Sequence, residues 1–172
     1  MLWLAAAADM MGDMRLVLDT DVIRSGLQSA AGASRLLLCG VAEGAFVPLV
    51  TVASMLEYED VLLRPPSLTA TGLTPDETLD FLDAFLASAE RVVVRRRVRP
   101  SIRDPFDEIF VEALVNGDGA AIVTFNRRDY VVAEQRLASQ QRTAVPVIAP
   151  REALRTLPWR PSATTPFASP RR

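Results

Sequence analysis

Short apolar runs alternate with longer segments of helical character along this chain, and this alternation is the feature that most constrains its fold. Leu16–Leu18 and Ala121–Val123 are continuous apolar runs, which are typical of strands buried on both faces of a sheet. Strands that alternate with helices favour an α/β domain built around a mostly parallel sheet. The 172 residues suit one domain of ordinary size.

The same patterns predict the order of the elements along the chain. Strands are predicted at 16–18, 46–48, 91–99, 121–124 and 145–148. Helices are predicted to begin at Ile23 and to cover 33–43, 51 or 54 to 63, 74–88, 107–115, 130–138 and 150–157. We expect residues 1–13 to be an N-terminal extension, residues 14–157 to be the domain, and residues 158–172 to be a flexible tail.

Two residue types are absent from the composition, and their absence excludes several kinds of catalytic and metal site. The chain has no histidine, and all 19 of its basic residues are arginine, so lysine is absent as well. Ser-His-Asp and Cys-His catalysis, His-ligated zinc, Schiff bases and the P-loop lysine are therefore excluded. The remaining carboxylates and hydroxyls favour a hard cation such as Mg²⁺ or Mn²⁺. A formal net charge of −2 excludes nucleic-acid binding through overall positive charge, but it leaves room for local arginine patches.

Cys39 is the only cysteine, so an intrachain disulfide is excluded. It follows the apolar residues Leu36–Leu38, and we expect a buried thiol that no histidine could activate. A chain of this kind suits the cytoplasm. The sequence contains no run of 18 apolar residues, so a membrane span is not expected.

Acidic residues recur near the ends of the predicted strands. Asp19 follows the first strand directly, Asp104 and Asp107 stand at the start of a later helix, and Asp129 follows the strand that ends at Thr124. Ligands of parallel sheets bind beyond the carboxyl ends of the strands, so separate segments could bring carboxylates into one crevice. Several carboxylates in one crevice would need protons or a divalent cation to offset their repulsion.

Four segments, taken in order, resemble the motifs of the PIN-domain nucleases. Leu16–Val22 with Ser25 is similar to the opening motif of that family, and Leu56–Leu62 is similar to its second acidic motif. Asp104–Asp107 and Ile122–Tyr130 resemble the third and fourth motifs. The closest subgroup is the VapC-like toxins of bacterial toxin–antitoxin operons.

The resemblance implies a three-layer α/β/α, Rossmann-like PIN fold with a mostly parallel central sheet. It implies an Mg²⁺- or Mn²⁺-dependent endoribonuclease that uses one or two ions to activate the attacking water and leaves a 5′-phosphate and a 3′-hydroxyl. It also implies a cytoplasmic homodimer and a small antitoxin protein that blocks the site.

Carried over residue by residue, Asp19, Glu57 and Asp107 match the first three acids of the family. Asp19 and Asp107 are expected to be direct metal ligands. Glu57 is expected to bind a second ion or to orient the attacking water as a general base.

Two positions depart from the family pattern. Asp21 stands where asparagine is usual, and Asn126 stands where the fourth acid is usual. Either Asp129 replaces that acid, or Asn126 binds the metal through its carbonyl oxygen. Residues expected to contact substrate or to support the ligands are Thr20, Asp21, Ser25, Asp104, Thr124, Arg127 and Arg128.

Other interpretations remain open at this level. Asp19, Asp21, Asp104 and Asp129 could serve only as caps or turn residues. The run Arg95–Arg97 could grip RNA, or it could protect an exposed edge strand from pairing.

Two further functions compete with the nuclease. A strand followed by Asp19-Thr20-Asp21 also resembles the haloacid-dehalogenase-like phosphatases, in which the first aspartate is the nucleophile. Asn126 in the fourth position is also compatible with a degenerate PIN domain that binds RNA or protein without catalysis.

Overall fold

A computed structural model describes residues 14–98, 107–130, 146–157 and 159, and the strands within these residues form one five-stranded sheet. The strands are β1 (Arg15–Leu18), β2 (Val47–Val50), β3 (Glu90–Arg91), β4 (Ala121–Val123) and β5 (Val147–Ile148). Their order in the sheet is β3-β2-β1-β4-β5, and every neighbouring pair is parallel. The predicted α/β class is confirmed.

Seven α-helices lie between and after the strands in the described residues. They are α1 (Thr20–Gln28), α2 (Ala33–Ala42), α3 (Val52–Leu62), α4 (Pro65–Thr71), α5 (Pro75–Ala87), α6 (Glu108–Asn116) and α7 (Pro150–Thr156). Helix α2 packs on α1 and α7, whereas α3 packs on α5 and α6. The sheet lies between two helical layers, and the expected three-layer α/β/α arrangement is confirmed. None of the helices in the described ranges has the length and apolar character required to cross a membrane.

An aromatic cluster fixes the layer formed by α3, α5 and α6. The ring of Tyr58 lies 6.0 Å from that of Phe85 in an edge-to-face arrangement and 6.0 Å from that of Phe110 in a stacked one. All three side chains are buried. Such ring pairs contribute about 0.5–1.5 kcal/mol beyond the burial of their area. The cluster therefore joins α3 to α5 and α6 and fixes the position of α3 within this layer.

Two of the helices that contribute to this cluster, α3 and α5, begin with reciprocal side-chain caps. Thr51 accepts a hydrogen bond from the backbone of Ser54 at 3.1 Å, and the Ser54 hydroxyl accepts one from the backbone of Thr51 at 2.9 Å. Thr74 and Glu77 form the same reciprocal pair at the start of α5. These bonds satisfy backbone N–H groups that would otherwise lack partners at the helix start.

Of the predicted strand at 91–99, only Arg91 lies in a strand among the described residues 91–98, so the prediction is wrong for 92–98. Strand β3 ends at Arg91. Val92 N still donates to Val50 O of β2 at 2.8 Å, but the backbone at Arg95 and Arg96 is bonded by a side chain. The Oδ1 atom of Asn116 accepts from Arg95 N at 3.0 Å and from Arg96 N at 2.9 Å, and its Nδ2 donates to Arg96 O at 2.9 Å. Because the chain is not a strand here, the interpretation of these arginines as edge protection is also wrong.

Other element bounds differ from the prediction for local reasons. Helix α1 begins at Thr20 rather than Ile23, because Asp19 caps it. The prolines after Arg64 end α3 as expected, but Pro65 also begins α4, because proline suits the first position of a helix. Helix α4 was not predicted; it ends at Gly72, whose φ of 71° suits glycine. Strand β2 is Val47–Val50 rather than 46–48.

Several predictions fall outside the described residues. These are the N-terminal extension at 1–13, the position of Asp104, the helix at 130–138 beyond its first residue, and the tail at 158–172 apart from one residue. That residue, Trp159, donates from its indole N–H to Glu43 Oε2 at 2.8 Å.

The predicted domain boundaries, 14–157, stay a prediction. Cys39 is buried, as expected.

Candidate active site

The strand order reverses direction between β1 and β4. From β1 the chain builds β2 and β3 on one side, and it then returns to build β4 and β5 on the other. A crevice forms outside the carboxyl ends of the strands at such a reversal. Asp19 follows β1 and Thr124 follows β4, so both lie at this point. The backbone N–H of Asp19 donates to Val123 O at 3.0 Å and joins the two strand ends.

The carboxylate of Asp19 is held on both of its oxygens. Thr124 Oγ1 donates to Oδ2 at 2.6 Å, and the backbone N–H of Asp21 approaches Oδ1 at 3.4 Å. The first contact is short, as expected for a hydroxyl that donates to an ionised acceptor. The second makes Asp19 the cap of α1, so the cap that the sequence allows is present. A cap needs only one carboxylate oxygen, and the second oxygen is engaged by the neighbouring strand.

The environment of Asp19 opposes its ionisation. The side chain is 8% exposed, and burial raises its pKa above the ordinary value of 3.8. The hydrogen bond from Thr124 lowers the pKa, whereas the Asp21 carboxylate raises it. Asp21 itself is exposed and forms an ion pair with Arg24 at 2.8 Å, so its charge is partly neutralised elsewhere. A proton or a cation at Asp19 would therefore relieve an electrostatic cost.

The Thr124 hydroxyl also holds the loop after β4. It accepts a hydrogen bond from the backbone of Asn126 at 3.0 Å, and Thr124 is fully buried. The Asn126 side-chain amide in turn donates to the carboxylate of Asp129. The two candidates for the fourth acidic position, Asn126 and Asp129, are thus in direct contact. They form a pair at the edge of the site.

Two tyrosines lie beneath the acids, and sequence reasoning did not select either of them. Tyr58 donates to Leu18 O at 2.6 Å, which ties α3 to the end of β1. Tyr130 is fully buried, and its hydroxyl has no hydrogen-bond partner among the described residues. The signal was present in the sequence, because the chain has only two tyrosines and each directly follows a predicted acid.

The Tyr130 hydroxyl lies close enough to several of the acids for their charges to shift its pKa. Burial raises its pKa above the ordinary value of 10.0, and the charges of Asp19, Asp107 and Asp129 raise it further. Burial and the charge of Asp19 also raise the pKa of Tyr58. Both phenols therefore stay protonated, and Tyr130 is a neutral hydroxyl within the field of three carboxylates from three segments.

Glu57 and Asp107 come from the helical layer next to the aromatic cluster. Asp107 lies at the start of α6 and is half-buried. Glu57 is half-buried on α3 and makes no hydrogen bond or ion pair within the described residues. The structure thus relates Asp19, Asp107 and Asp129 through Tyr130, and it shows no contact between Glu57 and these acids.

The acids do not form a closed ligand set. Across 14–98, 107–130, 146–157 and 159, no group of three or more acidic or cysteine side chains is positioned to hold a metal ion. The donor chemistry nevertheless fits a hard divalent cation. Two buried hydroxyls at the site, those of Thr20 and Tyr130, have no partner, so polar atoms with unused bonding capacity border Asp19.

The remaining predicted residues lie around this centre. Ser25 is half-buried on α1. Arg127 and Arg128 are exposed in the 3₁₀ turn after β4; Arg127 forms an ion pair with Glu152 at 3.3 Å. Asp104 lies outside the described residues.

The arginine run lies at the opposite end of α6 from Asp107, and its contact with RNA stays a prediction. Asn116, which bonds Arg95 and Arg96, ends the nine-residue helix α6, whereas Asp107 lies at its start. At about 1.5 Å per residue, a helix of this length separates the two ends by roughly 13 Å. The structure therefore gives no support for a contact between this run and substrate at Asp107.

The comparison with protein families agrees with the motif resemblance. The family model described as a PIN domain matches residues 15–128, which is more than half of the chain. The match includes Asp19, Glu57, Asp107 and Asn126, and it ends one residue before Asp129. The comparison with curated proteins finds no significant match.

Proposed function

Because this chain belongs to the PIN-domain family, whose members are in general nucleases, we propose that it is an Mg²⁺- or Mn²⁺-dependent endoribonuclease. The observation that carries the proposal is the buried carboxylate of Asp19 at the reversal of strand order, bound by Thr124 at 2.6 Å. An acid that costs free energy to ionise in its own protein is suited to a site that receives positive charge. The family match leaves the phosphatase alternative without support.

Asp19 and Asp107 are the residues that would hold the cation, with Glu57 and the Asn126–Asp129 pair completing the site. When bound, one or two divalent ions offset the negative charge of the phosphoryl oxygens and make water more acidic. The orphaned hydroxyls of Thr20 and Tyr130 support this assignment, since buried polar groups normally have partners.

Three further residues orient the Asp19 carboxylate, position the attacking water and donate a hydrogen bond. Thr124 keeps the Asp19 carboxylate in one orientation, because its short hydrogen bond leaves little rotational freedom. Glu57 has no partner in the described residues, so its carboxylate is free to orient a water molecule or to accept its proton. Tyr130 stays protonated and can donate a hydrogen bond without adding negative charge.

Polar groups around the acids would contact the substrate. The hydroxyls of Thr20 and Ser25 lie on α1 next to Asp19 and suit water or phosphate oxygens. Asp21 is turned toward Arg24 and supports the site through charge rather than contact.

The test is cleavage of a fluorescent single-stranded RNA with Mn²⁺ and with EDTA. Asp19→Asn and Asp107→Asn should each slow cleavage by about 100-fold or more, the scale seen when one electrostatic group is removed from an active site. Asp60→Asn is the matched control, because Asp60 is an exposed helix acid paired with Arg64. Equal cleavage by the parent and the two site variants would exclude the proposed site.

A non-catalytic PIN domain is the second candidate, and Asn126 at the position of the fourth acid is the observation that favours it. Calorimetry with Mn²⁺ separates the two, since the nuclease requires binding and the degenerate domain does not. The VapC-like toxin role, the antitoxin, the homodimer and the cytoplasmic location stay predictions from the resemblance.

A further inference from the structure

Phe125 differs in burial from the other four phenylalanines that the structure describes. Phe46, Phe81, Phe85 and Phe110 are at most 7% exposed, whereas Phe125 is 56% exposed. It directly follows Thr124, whose hydroxyl binds Asp19. Phe125 thus presents a large aromatic ring to solvent one residue away from the buried Thr124.

Phe125 shares its position just after a strand with two of the other exposed apolar side chains. Large exposed apolar residues in the described part of the chain are Val52, Leu56, Leu79, Val93 and Phe125. Val52, Val93 and Phe125 each lie two residues after the last residue of a strand. Val52 and Leu56 are one helical turn apart on α3, the helix that carries Glu57. Three of the five exposed apolar residues thus lie close to the carboxyl ends of strands, as Asp19 does.

An arginine without a partner lies three residues after Phe125. Arg128 is exposed and makes no hydrogen bond or ion pair in the described residues, whereas its neighbour Arg127 is paired with Glu152. The site beside it is acidic, with Asp19 and Asp129 close in the structure. A guanidinium left unpaired next to such a site suits a phosphate group, whose oxygens it can bind in pairs.

We infer that Phe125 and Arg128 bind the RNA strand beside the catalytic acids, Phe125 by stacking on an unpaired base and Arg128 by contacting a phosphate. The inference rests on the proposed nuclease function and adds the residues that hold the substrate. An exposed ring together with a positive group is the combination that binds single strands. Stacking accepts every base, so these two residues provide affinity rather than base identity.

The experiment measures the anisotropy of a fluorescein-labelled single-stranded RNA 12-mer in the Asp19→Asn background, where cleavage is suppressed. Phe125→Ala should weaken binding about 5- to 30-fold, within the range for the loss of one stacked base. Phe125→Trp should retain affinity, and Phe125→Leu should not, because leucine is apolar but has no ring to stack. Leu79→Ala is the control, since Leu79 is also exposed but lies on α5.

The two arginines form a matched pair for the phosphate contact. Arg128→Ala should weaken binding across all sequences and reduce the salt slope of log Kd by about one. Arg127→Ala should have the smaller effect, because its guanidinium already pairs with Glu152. An RNA duplex of the same sequence, whose bases are already stacked on each other, should bind the Phe125→Ala variant as tightly as its parent.

The outcomes separate this inference from the proposed function. If the parent cleaves RNA and Phe125→Ala binds the single strand unchanged, the inference is wrong and the nuclease stands. If Phe125→Ala instead weakens self-association and leaves RNA binding intact, the surface is a protein contact and the inference is also wrong. If the parent neither binds nor cleaves RNA, the proposed function fails first. Thermal unfolding checks the fold, and an exposed side chain should leave it unchanged.

Discussion

The aromatic cluster and the acidic site differ in how many of their buried polar groups have hydrogen-bond partners. In the cluster, Phe85 and Phe110 pack on the Tyr58 ring, and the Tyr58 hydroxyl donates to Leu18 O. In the site, Asp19 is buried with a raised pKa, and Tyr130 has a hydroxyl without a partner. The cluster contributes stability, whereas the site carries an electrostatic cost that only a function explains.

Truncation in the cluster should have the largest effect on stability. Phe110→Ala removes a fully buried ring from the contact with Tyr58 and should lower the free energy of unfolding by about 3–5 kcal/mol. Urea unfolding measures the change. Leu79→Ala is the exposed control and should stay within about 0.5 kcal/mol of the parent. A loss of less than about 1 kcal/mol for Phe110→Ala would contradict the central role of the cluster.

Removing the hydrogen bond to Asp19 should have an intermediate effect. Thr124→Val keeps the shape of the side chain but leaves the buried Asp19 Oδ2 without its donor. We expect a loss of about 1–3 kcal/mol at neutral pH, because a buried charged acceptor loses its partner. The loss should shrink in acid, where Asp19 is protonated. A loss that is the same at both pH values would show that the bond to the ionised carboxylate is not the cause.

The two tyrosines should respond differently to removal of the same atom. Tyr58→Phe breaks a bond of 2.6 Å to Leu18 O and should cost about 1 kcal/mol. Tyr130→Phe removes a hydroxyl that has no partner, so the metal-free protein should be unchanged or slightly more stable. Urea unfolding of both variants without divalent ions is the measurement. Equal losses would mean that Tyr130 has a partner in solution.

Asp19→Asn should raise the Tm of the metal-free protein by a few degrees at neutral pH. The folded-state pKa of Asp19 lies above its ordinary value of 3.8, so the unfolded chain ionises first as the pH rises. The parent therefore loses stability from about pH 3.8 upward through the folded pKa, and asparagine removes this loss. Asparagine also caps helices well, so α1 should stay intact. A Tm difference that does not grow with pH would contradict the burial of an ionised Asp19.

Local features of the sequence predicted much of the fold and part of the site. Asp19 was identifiable because a buried strand ends in an acid, and Thr124 because it ends the next buried run. Tyr58 was missed because its contact with Leu18 spans 40 residues, which no local pattern encodes. The segment after Arg91 was mistaken for a strand because the prediction rested on the strand propensity of its valines alone. Its actual conformation depends on Asn116, which is 20 residues away from Arg96.

The most direct test of the site is a crystal of the protein grown with Mn²⁺, examined by the anomalous scattering of the ion. A peak coordinated by Asp19 and Asp107, next to the Tyr130 hydroxyl, is expected. A peak held by other residues, or a fully occupied site that excludes Asp19, would contradict the assignment of this carboxylate as the centre of the nuclease.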